Sequence, residues 1–205
     1  VLLTGIGLAV FQQFCGINVV FNYTTNIFQS IGASTSEQLL QAVYISVANL
    51  VFTLLAMALV DRLGRKPLLL FGAGGLAILY VCIGFILSTA SGKGLSVMIL
   101  SAIGVYAMSL APLTWVLISE IFPNHIRGIA TSVAVVSLWA AYFILVFTFP
   151  LIEMKFGSAT AFWGYAVICL FGFIFILTRV KETKGKSLEE IEKEFTGRSH
   201  SFAGE

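Results

Sequence analysis

The sequence predicts an all-α membrane protein with six transmembrane helices and a short amphipathic helix after them. Of the 205 residues, 58% are hydrophobic and 11% are charged, and the mean hydropathy is +0.96. A soluble domain is about a quarter charged. Six apolar stretches reach the roughly 20 helical residues that cross a hydrocarbon core of about 30 Å. They show no period-two alternation, which favours helices over barrel strands.

The predicted spans follow one another with short connections, as expected for antiparallel neighbours in a bundle. They cover residues 1–28, 38–60, 67–90, 95–119, 127–151 and 158–179. Thr35 or Ser36 is expected to cap the second span, and Pro67 suits the first turn of the third. Gly16 is expected to bend or unwind the first span. Pro112 predicts a kink in the fourth span just before Trp115.

The composition changes after the sixth span. Leu188, Ile191 and Phe195 follow helical spacing beneath a Glu/Lys face, and Ser187 with Glu190 forms a capping-box pattern. We therefore expect two parts, a six-helix bundle over 1–180 and, over 181–205, a cytoplasmic helix with a disordered tail.

The basic residues predict the orientation. The two loops on one side and the tail hold ten of the twelve Lys and Arg residues, and the other side holds Lys93 and Lys155. By the positive-inside rule, both termini should be cytoplasmic, in a plasma membrane or a bacterial inner membrane. Val1 starts a span directly, so we expect the chain to be a fragment, or one half of a larger polypeptide.

The sequence holds no sign of catalysis or of a cofactor. The three cysteines lie far apart in predicted spans, without a CxxC pattern or a Cys/His cluster, so no metal site is predicted. The spans contain no Asp pair, no HExxH and no Gly-x-Ser-x-Gly with a partner His. We expect neither an enzyme nor a nucleic-acid partner.

Neutral polar residues inside the spans are the best functional lead, because polar groups are costly in lipid. No charged residue lies at mid-depth. The mid-depth set consists of amides, hydroxyls and indoles: Gln12, Gln13, Asn18, Asn22, Asn49, Thr114, Trp115, Ser137, Trp139 and Tyr142. Such groups suit a neutral ligand with many hydroxyls and an apolar ring face. Alternatively, amides join helices to one another, and for Asn49 the two interpretations are equally weighted.

The first span concentrates this signal. Asn18, Asn22 and Asn26 recur at four-residue steps and mark one helical face, while Gln12 and Gln13 lie on another. Gly16 stands between the two groups. A bend or unwinding there would turn both groups into one cavity, as in the broken helices of transporters.

Four motifs stand out along the chain: "QQFCGIN", "DRLGRKP", "SEIFPNHIRG" and "ETKGKSLEEIE". In this order they resemble the motifs of the sugar porters of the major facilitator superfamily, a group that includes hexose facilitators and bacterial proton-coupled xylose, arabinose and galactose symporters. The resemblance covers residues 1 to 196 and implies the C-terminal six-helix half of a major facilitator fold.

The resemblance also implies roles for individual residues. Sugar contacts match Gln12, Gln13, Asn18, Asn49, Trp115 and Trp139. Gating positions match Asn22, Tyr23 and the break at Pro112. A cytoplasmic charge network that locks the outward-open state matches Arg62, Arg65, Glu120, Arg127 and Glu182.

The chain departs from the family pattern at several of these positions. Asn22 stands where the family usually has a gate tyrosine, and Leu138 where many relatives carry Asn or Gln. "LAPLTW" lacks the second proline of the facilitators, Ala107 replaces their acidic residue, and Lys181 replaces a usual Pro. The identity of the sugar is therefore not predicted.

The resemblance implies transport of a hexose or pentose by alternating access, with proton-coupled symport as the preferred mode. A facilitative uniporter is an alternative, and so is a non-transporting sugar sensor of the same fold. The implied partners are a monosaccharide, the N-terminal six-helix half, the lipid bilayer and, for symport, protons.

Overall fold

A computed structural model describes residues 1–89, 94–123 and 126–186, together with Glu190. The predicted amphipathic helix and tail lie outside the described residues, apart from Glu190, so they stay a prediction. The described residues form helices connected by short turns. The helices are α1 (Leu2–Phe14), α2 (Ile17–Gln29), α3 (Thr35–Leu63), α4 (Arg65–Ser88), α5 (Leu95–Met108), α6 (Leu110–Ile121), α7 (Arg127–Phe156) and α8 (Ser158–Arg179).

Within the described ranges, six helical stretches are long and apolar enough to cross a membrane. They are Leu2–Gln29, Thr35–Val60, Arg65–Ser88, Leu95–Ile121, Arg127–Phe156 and Ser158–Arg179. Helices α1 and α2 together make the first span, and α5 and α6 together make the fourth. The six predicted spans and the all-α membrane class are confirmed.

Gly16 interrupts the first span. Its φ of +86° lies in the left-handed region, which a glycine adopts without the steric cost of a Cβ. The ring of Tyr165 in α8 fills the space beside it, because a Cβ built on Gly16 would lie 2.5 Å from that ring. The predicted break at Gly16 is therefore present, and α8 packs directly against it.

The fourth span breaks at Ser109, whose φ of −131° and ψ of −87° are not helical. Pro112 lies three residues later. Its ring clashes with the carbonyl four residues earlier and its nitrogen donates no hydrogen bond, so the strain falls on the turn before it. The predicted kink is thus one turn earlier than expected. Pro150, by contrast, lies inside α7, which continues through it.

Ser34 caps the second span, so the expectation of Thr35 or Ser36 was wrong. The Ser34 hydroxyl accepts a hydrogen bond from the Glu37 backbone N–H at 3.4 Å, and the Glu37 carboxylate accepts from the Ser34 N–H at 2.7 Å. This reciprocal pair is a capping box. The cap therefore lies one residue before the nearer of the two predicted caps, and the helix begins at Thr35.

Small residues let the helices approach closely. Helix α4 packs mainly on α8 and α5, α1 on α7, and α3 on α5. A Cβ on Gly172 of α8 would lie 1.9 Å from the Phe11 ring, and one on Gly72 of α4 would lie 2.1 Å from the Ser109 hydroxyl. Close contact through glycine is the usual way in which membrane helices associate.

One end of the bundle carries most of the described basic residues, and we call it the basic end. It holds the C-terminal ends of α6 and α8 and the connection between α3 and α4. The start of α1 lies there too, because Gly5 faces Phe122 and Gly7 faces Phe175. The second and fifth spans are the least buried: 17% and 22% of the residues in their apolar 18-residue segments are buried. Their open faces are available to a further part of the protein or to lipid.

Candidate functional site

Four side chains form a hydrogen-bonded chain across the break in the first span, and we call it the amide chain. Asn18 Nδ2 donates to Gln13 Oε1 at 2.5 Å, and Gln13 Nε2 donates to Gln12 Oε1 at 2.9 Å. Gln12 Nε2 donates to Tyr106 Oη in α5 at 2.8 Å. The left-handed turn at Gly16 brings the two polar faces together, as the sequence predicted.

The amide chain keeps hydrogen-bonding capacity for a ligand. Gln12 and Gln13 are only 4% and 6% exposed, whereas Asn18 is half-buried. Each carboxamide has two N–H donors and two oxygen lone pairs, and the internal bonds use only part of them. A ligand that both donates and accepts at every position, as a hydroxyl does, matches this set.

The two tryptophans predicted to contact a ligand present exposed rings. Trp115 in α6 is 45% exposed and Trp139 in α7 is 57% exposed. The Trp139 ring stands edge-on to Tyr142, with 5.7 Å between ring centroids. An exposed indole provides a flat apolar face and one donor.

Asn49 lies half-buried on α3 and makes no side-chain hydrogen bond within the described ranges. The interpretation that Asn49 joins helices by an amide hydrogen bond therefore gains no support there. No hydrogen bond among the described residues joins Asn49, Trp115 or Trp139 to the amide chain. Their assignment to one site stays a prediction.

The predicted gate residues connect α2 to α7. Asn22 and Tyr142 pair through their side chains, with Asn22 Nδ2 3.1 Å from Tyr142 Oη. Tyr23 donates to the Val146 carbonyl at 3.0 Å and packs on Phe149, with 4.9 Å between ring centroids. Tyr23 itself departs from helical geometry, at φ −119° and ψ 21°. The second half of the first span therefore moves together with α7 or must break these contacts.

Glu182 caps the N-terminus of α4 at the basic end. Its carboxylate accepts hydrogen bonds from the backbone N–H groups of Arg65 and Lys66 at 2.9 and 3.0 Å. It also accepts from those of Thr183 and Lys184, at 3.0 and 2.9 Å. An anion at a helix N-terminus is stabilised by these unpaired donors and by the helix dipole.

Glu120 joins α6 to the same cluster. Arg65 Nη2 lies 3.3 Å from Glu120 Oε1, and the Thr183 hydroxyl donates to Glu120 Oε2 at 2.7 Å. The charges of Arg65, Glu120 and Glu182 thus lie close together, where α4 begins and α6 and α8 end.

Arg62 and Arg127 take part through backbone groups. The Arg62 carbonyl accepts a hydrogen bond from Lys184 Nζ at 2.5 Å, and Arg127 Nε donates to the Phe122 carbonyl at 3.2 Å. Neither guanidinium forms a salt bridge with Glu120 or Glu182 in the described structure. Of the predicted five-residue charge network, Arg65 thus joins Glu120 through its guanidinium and Glu182 through its backbone N–H, while Arg62 and Arg127 flank this cluster.

The pKa of Glu182 lies below its ordinary value of 4.5. Partial burial raises the pKa, but the backbone donors of Lys184, Arg65, Lys66 and Thr183 favour the carboxylate and lower it by more. Because the folded pKa is depressed, the stabilisation from this cap is complete above pH 4.5 and is lost as the pH falls through the folded value.

Glu182→Gln is therefore expected to loosen the start of α4 at neutral pH. A neutral amide oxygen accepts weaker hydrogen bonds than a carboxylate, so backbone amide exchange at Arg65 and Lys66 should accelerate about fivefold. Hydrogen-exchange mass spectrometry would measure it, with the unrelated turn at 157–160 as the internal control. Equal exchange in variant and wild type would contradict the capping role. The difference should vanish at a pH below the folded pKa.

Two residues that hydrogen-bond to predicted site residues were not themselves predicted from the sequence. Tyr106 is the partner of Gln12, and the Thr183 hydroxyl is a partner of Glu120. A tyrosine within an apolar span is the only available signal for Tyr106. The same signal marks Tyr80 and Tyr165, whose buried hydroxyls have no hydrogen-bond partner within the described part of the chain.

The comparisons with known proteins agree on one family. The family model described as "Sugar (and other) transporter" matches residues 1–195. The D-xylose-proton symporter of Escherichia coli (strain K12) is 42% identical over 199 residues, which are 94% of this chain and 40% of that protein. The arabinose-proton symporter of Bacillus subtilis (strain 168) is 39% identical, over 94% of this chain and 42% of that protein.

A facilitator and a solved structure match over similar ranges. The glucose facilitated diffusion protein of Zymomonas mobilis is 37% identical, over 94% of this chain and 42% of that protein. The structure of the proton:xylose symporter of the major facilitator superfamily bound to 6-bromo-6-deoxy-D-glucose superposes with a TM-score of 0.87 at 40% identity. The match covers 95% of this chain and 42% of the symporter chain. The chain thus spans about two fifths of the length of these relatives.

Proposed function

We propose, because this chain belongs to the sugar transporter family, that it forms the C-terminal six-helix half of a monosaccharide transporter. It is an integral membrane protein, and its family is one of transporters. The amide chain across the Gly16 break carries the proposal, because it places two buried carboxamides and one half-buried carboxamide together in a span that has no charge at mid-depth. We assign no enzymatic activity, cofactor or metal to this half.

The sugar would exchange hydrogen bonds to water for hydrogen bonds to Gln12, Gln13 and Asn18. Each such exchange contributes only about 0.5–1.5 kcal/mol net. Affinity is therefore modest, which suits release on the far side of the membrane. Trp115 and Trp139 would cover the apolar faces of the sugar ring, and Asn49 would add an amide from α3.

The missing half would meet the open faces of the second and fifth spans, which are the least buried of the bundle. Rocking of the two halves would expose the site to each side in turn. The pairs Asn22–Tyr142 and Tyr23–Val146 would gate one side. The cluster of Arg65, Glu120 and Glu182 would close the other side. We assign that side and both termini to the cytoplasm, in keeping with the distribution of basic residues.

Proton-coupled symport is the preferred mode, in line with the xylose and arabinose symporters among the relatives. Coupling needs a titratable group within the membrane, and the sequence places no Asp, Glu, Lys, Arg or His at mid-depth here. The proton would therefore bind in the N-terminal half. The similar glucose facilitated diffusion protein keeps a uniporter as the second candidate.

Uptake into proteoliposomes tests the function. The transporter that contains this chain and its N-terminal half should take up at least one labelled sugar among D-xylose, L-arabinose and D-glucose in a saturable manner. An inward proton gradient should accelerate the uptake if the mode is symport and leave the initial rate unchanged if it is uniport. Absence of saturable uptake of any monosaccharide would contradict the proposal.

Asn18→Ala is expected to raise the half-saturation concentration about tenfold, because it removes a ligand contact and leaves Gln13 Oε1 without its donor. Gln29→Ala, an exposed amide at the end of the same helix, is the matched control and should leave uptake unchanged. Equal uptake by Asn18→Ala and wild type would remove Asn18 from the site.

A further inference from the structure

We propose that Tyr106 is a positioning residue of the sugar site, whose hydroxyl holds the Gln12 carboxamide and thereby orders the amide chain. The inference rests on the proposed function, because the ligand is taken to be a monosaccharide. Tyr106 would not contact the sugar through its hydroxyl. It would act through Gln12, across 94 positions of sequence.

The geometry makes Tyr106 the fixed end of the amide chain. Its side chain is 7% exposed and packs within the core on α5. Its hydroxyl is the only polar atom of that side chain, and it lies 2.8 Å from Gln12 Nε2. Gln12 has a flexible side chain, and anchoring its terminal amide removes rotamers that would otherwise be lost when a ligand binds.

The anchor at Gln12 orders the carboxamides beyond it. With Gln12 Nε2 turned to Tyr106, its Oε1 accepts from Gln13 Nε2, and Gln13 Oε1 accepts from Asn18 Nδ2. A rotated Gln12 amide would set its own donors against those of Gln13. The bond to Tyr106 therefore helps to hold all three carboxamides in one direction, and the Asn18 Oδ1 end stays available as an acceptor for a sugar hydroxyl.

Tyr106→Phe is the sharpest variant, because it keeps the ring and removes the hydroxyl. Gln12 Nε2 then loses its buried partner and the carboxamide gains freedom. The half-saturation concentration for sugar should rise about three- to tenfold, with the maximal rate unchanged.

Tyr80→Phe is the matched control. The Tyr80 hydroxyl is fully buried in α4 and has no hydrogen-bond partner among the residues that the structure describes, so its removal should leave sugar affinity unchanged. A general effect of removing a buried tyrosine hydroxyl would change both variants alike.

A double-mutant cycle separates positioning from a local packing effect. If Tyr106 acts through Gln12, Tyr106→Phe should have no further effect on affinity in the Gln12→Ala background. An unchanged affinity of Tyr106→Phe, or the same loss in both backgrounds, would overturn the inference. Wild-type uptake that is not saturable would instead refute the proposed function, so the two failures are distinguishable.

Discussion

Gln13→Ala is expected to weaken sugar binding by about 10- to 100-fold, the largest effect of any single amide in the chain. Gln13 is the only member that bonds to a carboxamide on each side, since it donates to Gln12 and accepts from Asn18. Its removal would delete a proposed ligand contact and leave two polar groups without their partners. One of them, Gln12, is almost fully buried, where a lost partner costs about 1–3 kcal/mol.

Equilibrium binding of a labelled monosaccharide to the purified transporter would measure this effect. Gln29→Ala is the matched control, because Gln29 is an exposed glutamine at the end of α2. It should bind sugar as the wild type does. Equal weakening by the two variants would show that the effect is general, and unchanged binding by Gln13→Ala would exclude Gln13 from the site.

Gly16→Ala is expected to destabilise the protein by about 2–5 kcal/mol and to abolish most sugar uptake. A left-handed backbone costs a residue with a Cβ roughly 1–2 kcal/mol. The added methyl would also lie 2.5 Å from the Tyr165 ring, so α8 must shift, and overpacking of this kind costs about 1–3 kcal/mol. The shift would separate Gln13 from Asn18.

Gly32→Ala separates the two costs. Gly32 has a φ of +82°, close to that of Gly16, but a Cβ there would meet no atom within 4 Å. Thermal unfolding in detergent should therefore show only the smaller, backbone cost for Gly32→Ala, and uptake should persist. A Gly16→Ala variant as stable as Gly32→Ala would show that the contact with Tyr165 does not hold the break in place.

The spans and the main break could be predicted because they depend on local chemistry. Burial in lipid requires long apolar helices, so composition alone marks their positions to within a few residues. Gly16 stands between two groups of polar residues that would face different sides of an ideal helix. A break at Gly16 lets both groups face the same cavity. The amide cluster therefore followed from the sequence of one segment.

The features that could not be predicted depend on partners from distant segments or on small differences in local geometry. Tyr106, Tyr80 and Tyr165 are alike in sequence context, and only the packing of α5 against α1 and α2 gives one of them a partner. Pro112 predicts strain in its own neighbourhood but not which residue absorbs it, and Ser109 does so. Similarly, Ser34, Thr35 and Ser36 are all good caps, and only Ser34 has Glu37 at the third helical position.

We propose above that the carboxamides around the Gly16 break bind the sugar. A structure of the transporter with a bound monosaccharide tests it most directly. We expect sugar hydroxyls at hydrogen-bond distance, about 2.7–3.2 Å, from the carboxamides of Gln12, Gln13 and Asn18. A sugar bound elsewhere, with these three amides keeping only their bonds to one another and to Tyr106, would contradict it.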